Sequence, residues 1–219
     1  GLSKKDETGM LIDRFIERIN AASTGGFHDD ASKSAHAENL GGAFDLYGVV
    51  SIIFIRQALQ LHANIQLRDS KLPKLRTVAE KYFRVILETV REDGLGWSYG
   101  RGIGAYGQMH CVTLLLQALR DRWIASDKEP LARDLIRRLY ANFFTTFFDM
   151  EHGVIVVRDT ERDTIPGHTT RMANFDAARY LSQWSRLAKA AGGNIEIHRV
   201  PQKNAVCRLY SFDKNIKKE

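Results

Sequence analysis

Asp93-Gly-Leu-Gly-Trp97-Ser-Tyr99-Gly-Arg101-Gly-Ile-Gly-Ala-Tyr106-Gly107 leads directly into Gln108-Met-His110-Cys-Val-Thr113-Leu-Leu-Leu-Gln117-Ala-Leu-Arg120, and this junction decides the fold. The first half carries five glycines up to position 104, too many for a helix or a strand, so it reads as a loop. The second half has no Gly or Pro after position 107 and repeats apolar residues at helical spacing, with Met109, Val112, Leu116, Leu119 and Trp123 on one side. The expected helix runs from about Tyr106 to Ala125 and is largely apolar. A helix of that kind is an inner one, surrounded by others.

The same junction recurs on either side. Gly25-Gly26-Phe27-His28-Asp29-Asp30 leads through a loop to Gly42-Ala-Phe44-Asp45-Leu-Tyr47 and a second apolar helix, about Ala43 to His62. His152-Gly153 leads through Asp159, Arg162 and His168 to Met172-Ala-Asn174-Phe-Asp176 and a third, about Asn174 to Ala190. These starts fall roughly every 60–70 residues, the length of a helix pair with a long loop. Between them lie amphipathic stretches. Met10 to Ala22 places Leu11, Phe15, Ile16 and Ile19 on one side. Leu72 to Arg91 has Leu75, Val78, Ala79, Tyr82, Phe83 and Ile86 as its stripe, with Pro73 in the first turn. Asp127 to Phe148 begins with Asp127 as N-cap and Pro130 close behind. The expected fold class is therefore mainly α, a helix-hairpin repeat whose pairs close into an (α/α) toroid or an incomplete one. Short strands are expected at Gly153–Arg158, Asn194–Val200 and Ala205–Phe212. Gly192-Gly193 caps the last helix and marks the boundary between a helical domain, 1–191, and a β-rich stub, 192–219.

Composition narrows the function classes. Hydrophobic residues make up 44% and charged residues 26%, proportions that suit a folded chain rather than a disordered one. No apolar stretch reaches membrane-spanning length, and Val49–Ile55 is interrupted by Ser51, so no membrane partner is expected. The start at Gly1 is compatible with an export signal already removed; the compartment is not legible. Two cysteines, Cys111 and Cys207, form no CxxC pair; they are expected as two ordinary buried thiols, with a single bridge as the alternative. The net charge of +6 suits an acidic partner, but no basic run is interleaved with aromatics as in a nucleic-acid module, so no nucleic acid is expected.

At the glycine-rich loops the chain resembles the (α/α) toroid domains of carbohydrate-active enzymes, polysaccharide lyases of the heparinase and chondroitinase type and related glycoside hydrolases. Trp97-Ser-Tyr-Gly-Arg-Gly-Ile-Gly-Ala-Tyr-Gly107 carries the likeness, with an echo in Thr170-Arg-Met-Ala-Asn-Phe-Asp176. A toroid of that kind has about twice as many helices and is followed by a β-sandwich, so the resemblance implies a fragment or a reduced form. The remainder of a larger chain is then one expected partner. An acidic or neutral polysaccharide is the other.

The chemistry expected of a lyase is β-elimination across a uronic acid, which needs a group to neutralise the carboxylate, a base for the C5 proton and an acid for the leaving oxygen. Arg101 suits the first task because its fork matches a carboxylate. Tyr106 and His110 lie one turn apart on a polar stripe with Thr113, Gln117 and Arg120, and suit the other two. Trp97 and Tyr99 offer flat rings for a sugar face, while His168 and Arg171 are expected in the third loop as substrate contacts. Asp29 and Asp30 are also substrate-binding candidates, and would supply a carboxylate if the chain were a glycoside hydrolase paired through Asp45 or Asp176. N-capping is the simpler role for those last two. The first loop, with His28, His36 and Glu38 beside the two aspartates, matches no metal-binding spacing, so neither metal nor cofactor is expected. A DDxxD-type motif, which a terpene-processing barrel would need, is missing. From another class comes a helical-repeat module that binds a glycan or a protein without turnover. It would hold Tyr106 and His110 packed between helices and away from a cleft.

Overall fold

The structure, a computed structural model, describes residues 4–21, 23–24, 27–28, 46–90, 94, 105–156 and 168–192. Among them are six α-helices and four strands of two residues each, so the chain is mainly α. It divides into two compact units, the break falling between residues 85 and 86.

The first unit holds α1 (Lys4–Ala21), the hairpin β1 (Ser23–Thr24) and β2 (Phe27–His28), α2 (Leu46–Leu61) and most of α3 (Ile65–Thr89). Gly25-Gly26 link the two paired strands, where a plain loop was expected. α3 starts seven residues before the expected Leu72. Asn64 caps it, its side-chain Oδ1 accepting from the Leu67 N–H at 3.0 Å. Pro73 consequently stands inside the helix instead of in its first turn, where it removes one N–H donor from the ladder. The anticipated stripe of α3 forms the core of this unit: Leu75, Val78, Ala79, Tyr82 and Phe83 are buried.

α1 runs alongside α3 in the same direction. Asp13 bonds Lys71 and Lys74 of α3, the latter at 3.0 Å, and Lys81 donates to Asn20 one turn and more further along. Ile16 and Ile19 of α1 are buried as expected, but Leu11 and Phe15 are exposed. At 100° per residue Leu11, Phe15 and Ile19 follow at about 40° steps with Ile16 about 60° beyond, so burial reaches only the Ile16–Ile19 edge of that stripe. α2 approaches α3 where Gly48 lies against the Tyr82 ring, and it buries only one side, Val49, Ile52, Ile53 and Leu59, leaving Phe54 and Leu61 exposed. Its apolar character all round therefore does not translate into burial on several faces.

The second unit contains α4 (Ala105–Arg120), α5 (Glu129–Asn142), a π-helical turn (Phe143–Phe147), the ladder β3 (Phe148–Asp149) and β4 (Val154–Ile155), and α6 (His168–Ala190). α4 ends five residues before expectation. Arg122 takes φ 57°, Arg122 N–H bonds Leu119 O and Trp123 N–H bonds Ala118 O, a left-handed turn that closes the last carbonyls. α5 begins at Glu129, with Lys128 at the cap position and no side-chain cap, so Asp127 does not cap it. Pro130 sits in the first turn, as read. α6 begins at His168, six residues earlier than expected, directly after Pro166-Gly167. Its end is as read, with Gly192 at φ 83°. The strand expected over Gly153–Arg158 is reduced, in the described residues, to Val154–Ile155 paired antiparallel with Phe148–Asp149. The strands expected after residue 193 lie outside the described residues.

Direction alternates along this unit. Gln108 at the start of α4 meets Asn142 at the end of α5, so the two are antiparallel. α4 and α6 are parallel, since His110 meets Tyr180 and, one turn on, Thr113 meets Trp184. No helix among the described residues is long and apolar enough to cross a membrane.

Candidate functional site

α4 is the centre of the second unit. Every residue from Gly107 to Leu119 is buried, the apolar side and most of the polar stripe alike. Each polar side chain on it must therefore find a partner within the protein.

His110 has no exposed surface. Its ring stands edge-on between Tyr106, 4.2 Å between centroids, and Tyr180 of α6, 4.7 Å away. Nδ1 lies 2.7 Å from the Tyr106 carbonyl oxygen. A carbonyl only accepts, so Nδ1 carries the proton and donates, which leaves Nε2 as a lone-pair acceptor. Nε2 meets no hydrogen-bond partner among the described residues. Burial pushes the imidazole pKa down to about 4; the bond to the Tyr106 carbonyl opposes this and the charge of Arg179 adds to it. His110 is thus neutral at physiological pH.

Tyr106 is half-buried, one turn nearer the start of α4. Tyr180 is fully buried, and desolvation raises its phenol well above the ordinary value. Arg179 lies 4.7 Å over the Tyr180 ring, donates to its hydroxyl at 3.2 Å and pairs with Asp176 at 2.8 Å. Asp176 is nearly buried and stands in the third turn of α6, so it is an ion-pair partner and not an N-cap. One turn along α4, Thr113 donates to the Met109 carbonyl at 2.7 Å and accepts from the Trp184 indole N–H at 2.8 Å. Trp184 in turn packs among Tyr140, Phe143 and Phe144. Gln117 is buried, and its side-chain carbonyl has no hydrogen-bond donor among the described residues.

Gln108 was not singled out by periodicity, yet it ties three segments together. Its amide donates to Gly94 O at 3.1 Å and to Asn142 Oδ1 at 3.4 Å. Gly94 sits at φ 77°, and a Cβ there would lie 2.5 Å from the Arg138 carbonyl oxygen. Only glycine suits that conformation and that closeness. The signal that could have found Gln108 is a polar residue flanked by apolar ones in an inner helix.

Of the residues read as catalytic, the structure brings Tyr106 and His110 together; Arg101 lies outside the described residues. So do Trp97, Tyr99, Asp29 and Asp30, and with them Asp45, His36 and Glu38. His168 and Arg171 are placed in the first turns of α6 and not in a loop. No break stands between position 168 and the end of the helix, because the chain there holds neither Gly nor Pro. Cys111 is buried with a free thiol whose pKa desolvation raises far up, so it is not a ready nucleophile. No protein-family model matches the chain, and no curated protein or solved structure matches it.

Proposed function

We propose that the chain is a carbohydrate-active domain of the (α/α) toroid kind, a polysaccharide lyase that opens a uronate-containing glycan by β-elimination. The observation that carries the reading is the Tyr106–His110 pair, a half-buried phenol edge-on to an imidazole held neutral with Nε2 as a lone-pair acceptor. A base must be unprotonated before it acts, and this imidazole is so across the physiological range. In the reaction the base takes the C5 proton, the C4–C5 double bond forms, the C4–O bond breaks, and the acid protonates the departing oxygen. Tyr106, the half-buried member of the pair, is assigned to proton transfer at the substrate, His110 to the second transfer once substrate binding uncovers its buried Nε2, and Arg101 to the substrate carboxylate. The alternation of α4, α5 and α6, with α4 and α6 parallel and in contact, supports a stacked-hairpin architecture.

A second reading is favoured by one observation. His110 has no exposed surface and is held between two rings, as in a helical module that binds a glycan or protein without turnover. A glycoside hydrolase would rest on Asp29 or Asp30.

The deciding experiment offers a panel of uronic-acid and neutral polysaccharides and follows the ultraviolet absorbance of a new double bond together with reducing ends. A rise in both, abolished in Tyr106→Phe, supports the lyase. Reducing ends alone, lost in Asp29→Asn or Asp30→Asn, replace it with a hydrolase. Binding with neither signal replaces it with the non-catalytic module.

A further inference from the structure

Phe175 is 87% exposed, on a helix otherwise amphipathic in the ordinary sense. α6 turns Ala177, Tyr180, Trp184, Leu187 and, just past its end, Ala191 into the core. At 100° per residue Phe175 stands about 160° from the middle of that face. The outward direction is fixed from one side as well. The Asn174 side chain accepts from the Ile155 N–H and donates to the Ile155 carbonyl, both at 2.8 Å, which clamps this turn of α6 to β4. An aromatic ring is thereby held in water by a helix that cannot readily rotate to hide it.

In register with Phe175, within about 40° of it around the helix axis, stand Arg179, Ser182 and the two exposed cations Arg186 and Lys189. Along α6 the bases are Arg171, Arg179, Arg186 and Lys189, and the one acid, Asp176, is already paired with Arg179. The outward line of α6 therefore joins a flat apolar ring to positive charge.

We propose that Phe175 is a stacking platform for a pyranose ring of an acidic glycan, with the cations in register taking its carboxylates. The apolar C–H face of a sugar suits a phenyl ring, and a polymer with one anion per residue suits cations spread along a helix. This rests on the carbohydrate reading above and adds to it a binding residue on α6, on the helix that packs against α4.

The test uses the full chain and oligogalacturonate, with a neutral glucan and a single-stranded oligonucleotide as comparison ligands, in affinity titrations at low and moderate salt. Phe175→Ala is expected to weaken oligogalacturonate roughly three- to tenfold, the range that aromatic stacking supplies. Phe175→Trp is expected to restore binding, and Arg186→Glu with Lys189→Glu to weaken it in a salt-dependent way. Circular dichroism is expected to be unchanged in all of them. If the parent chain binds oligogalacturonate and Phe175→Ala stays within twofold of it, the platform is refuted while the carbohydrate reading stands. No binding to any glycan refutes both. Preference for the oligonucleotide refutes the glycan as occupant. A Phe175→Ala chain that fails to fold shows the ring to be packed, and refutes the platform as well.

Discussion

Protonating His110 should weaken the fold, by an amount the structure allows to be worked out. The imidazole is wholly buried, its pKa lowered from 6.5 to about 4, with desolvation the largest cause. Unfolding returns it to water, where it binds a proton at the higher pKa. The unfolded chain thus takes up more protons between the two values, and stability rises with pH across that window. The contribution is fully present above pH 6.5 and is lost progressively as the pH falls to about 4. A shift of about 2.5 units at about 1.36 kcal/mol each gives roughly 3 kcal/mol. The assay is urea unfolding of the parent chain and His110→Gln across that window, following near-ultraviolet circular dichroism. The difference between the two isolates this residue from the carboxylates that titrate nearby. Expected is a parent curve that falls more steeply, by up to about 1.4 kcal/mol per pH unit for one proton. An NMR titration of the folded protein should find this imidazole neutral at pH 6. Parallel stability curves, or an imidazole titrating near 6.5 in the folded state, would refute the reasoning.

Two further substitutions probe the surroundings of α4. Trp184→Phe removes the indole donor to Thr113 and leaves a gap among Tyr140, Phe143 and Phe144, and should cost about 1–3 kcal/mol in urea unfolding. A loss below about 0.5 kcal/mol would mean that this buried bond contributes little net stability. Gly94→Ala meets both a left-handed φ of 77° and the Arg138 carbonyl, and should lower stability by about 2 kcal/mol or more. Its effect should shrink in a Gln108→Ala background, where the bond to Gly94 O is already gone, and strict additivity in that double-mutant cycle would deny the coupling.

Much of the helical plan was legible because periodicity reports it directly. The α3 stripe from Leu75 to Ile86 is buried as spacing required, and the apolar α4 is enclosed from Gly107 to Leu119. Helix ends were less legible. Asn64, Arg122 and Lys128 decide three of them through local hydrogen bonds and backbone conformation; Asn64 is a favoured cap type, but Arg122 and Lys128 are not the residue types that such positions advertise. Asp127 looked like a cap by type alone. The first turns of α6 were hidden by the polar run His168 to Arg171, which reads equally well as a loop.

The sequence by itself determined that this chain is mainly helical, which residues share a helix face, and that Tyr106 and His110 lie one turn apart. Those properties depend on residues close along the chain, so spacing carries them. Only the tertiary structure decided that His110 stands between Tyr106 and Tyr180, that Thr113 serves Trp184, and that Gln108 holds Gly94. It also decided that α2, the more apolar helix, keeps Phe54 and Leu61 in water while α4 buries every residue from Gly107 to Leu119. Hydropathy measures how apolar a helix is, whereas burial depends on how many neighbours surround it. Those neighbours come from far along the chain, where local spacing carries no record of them.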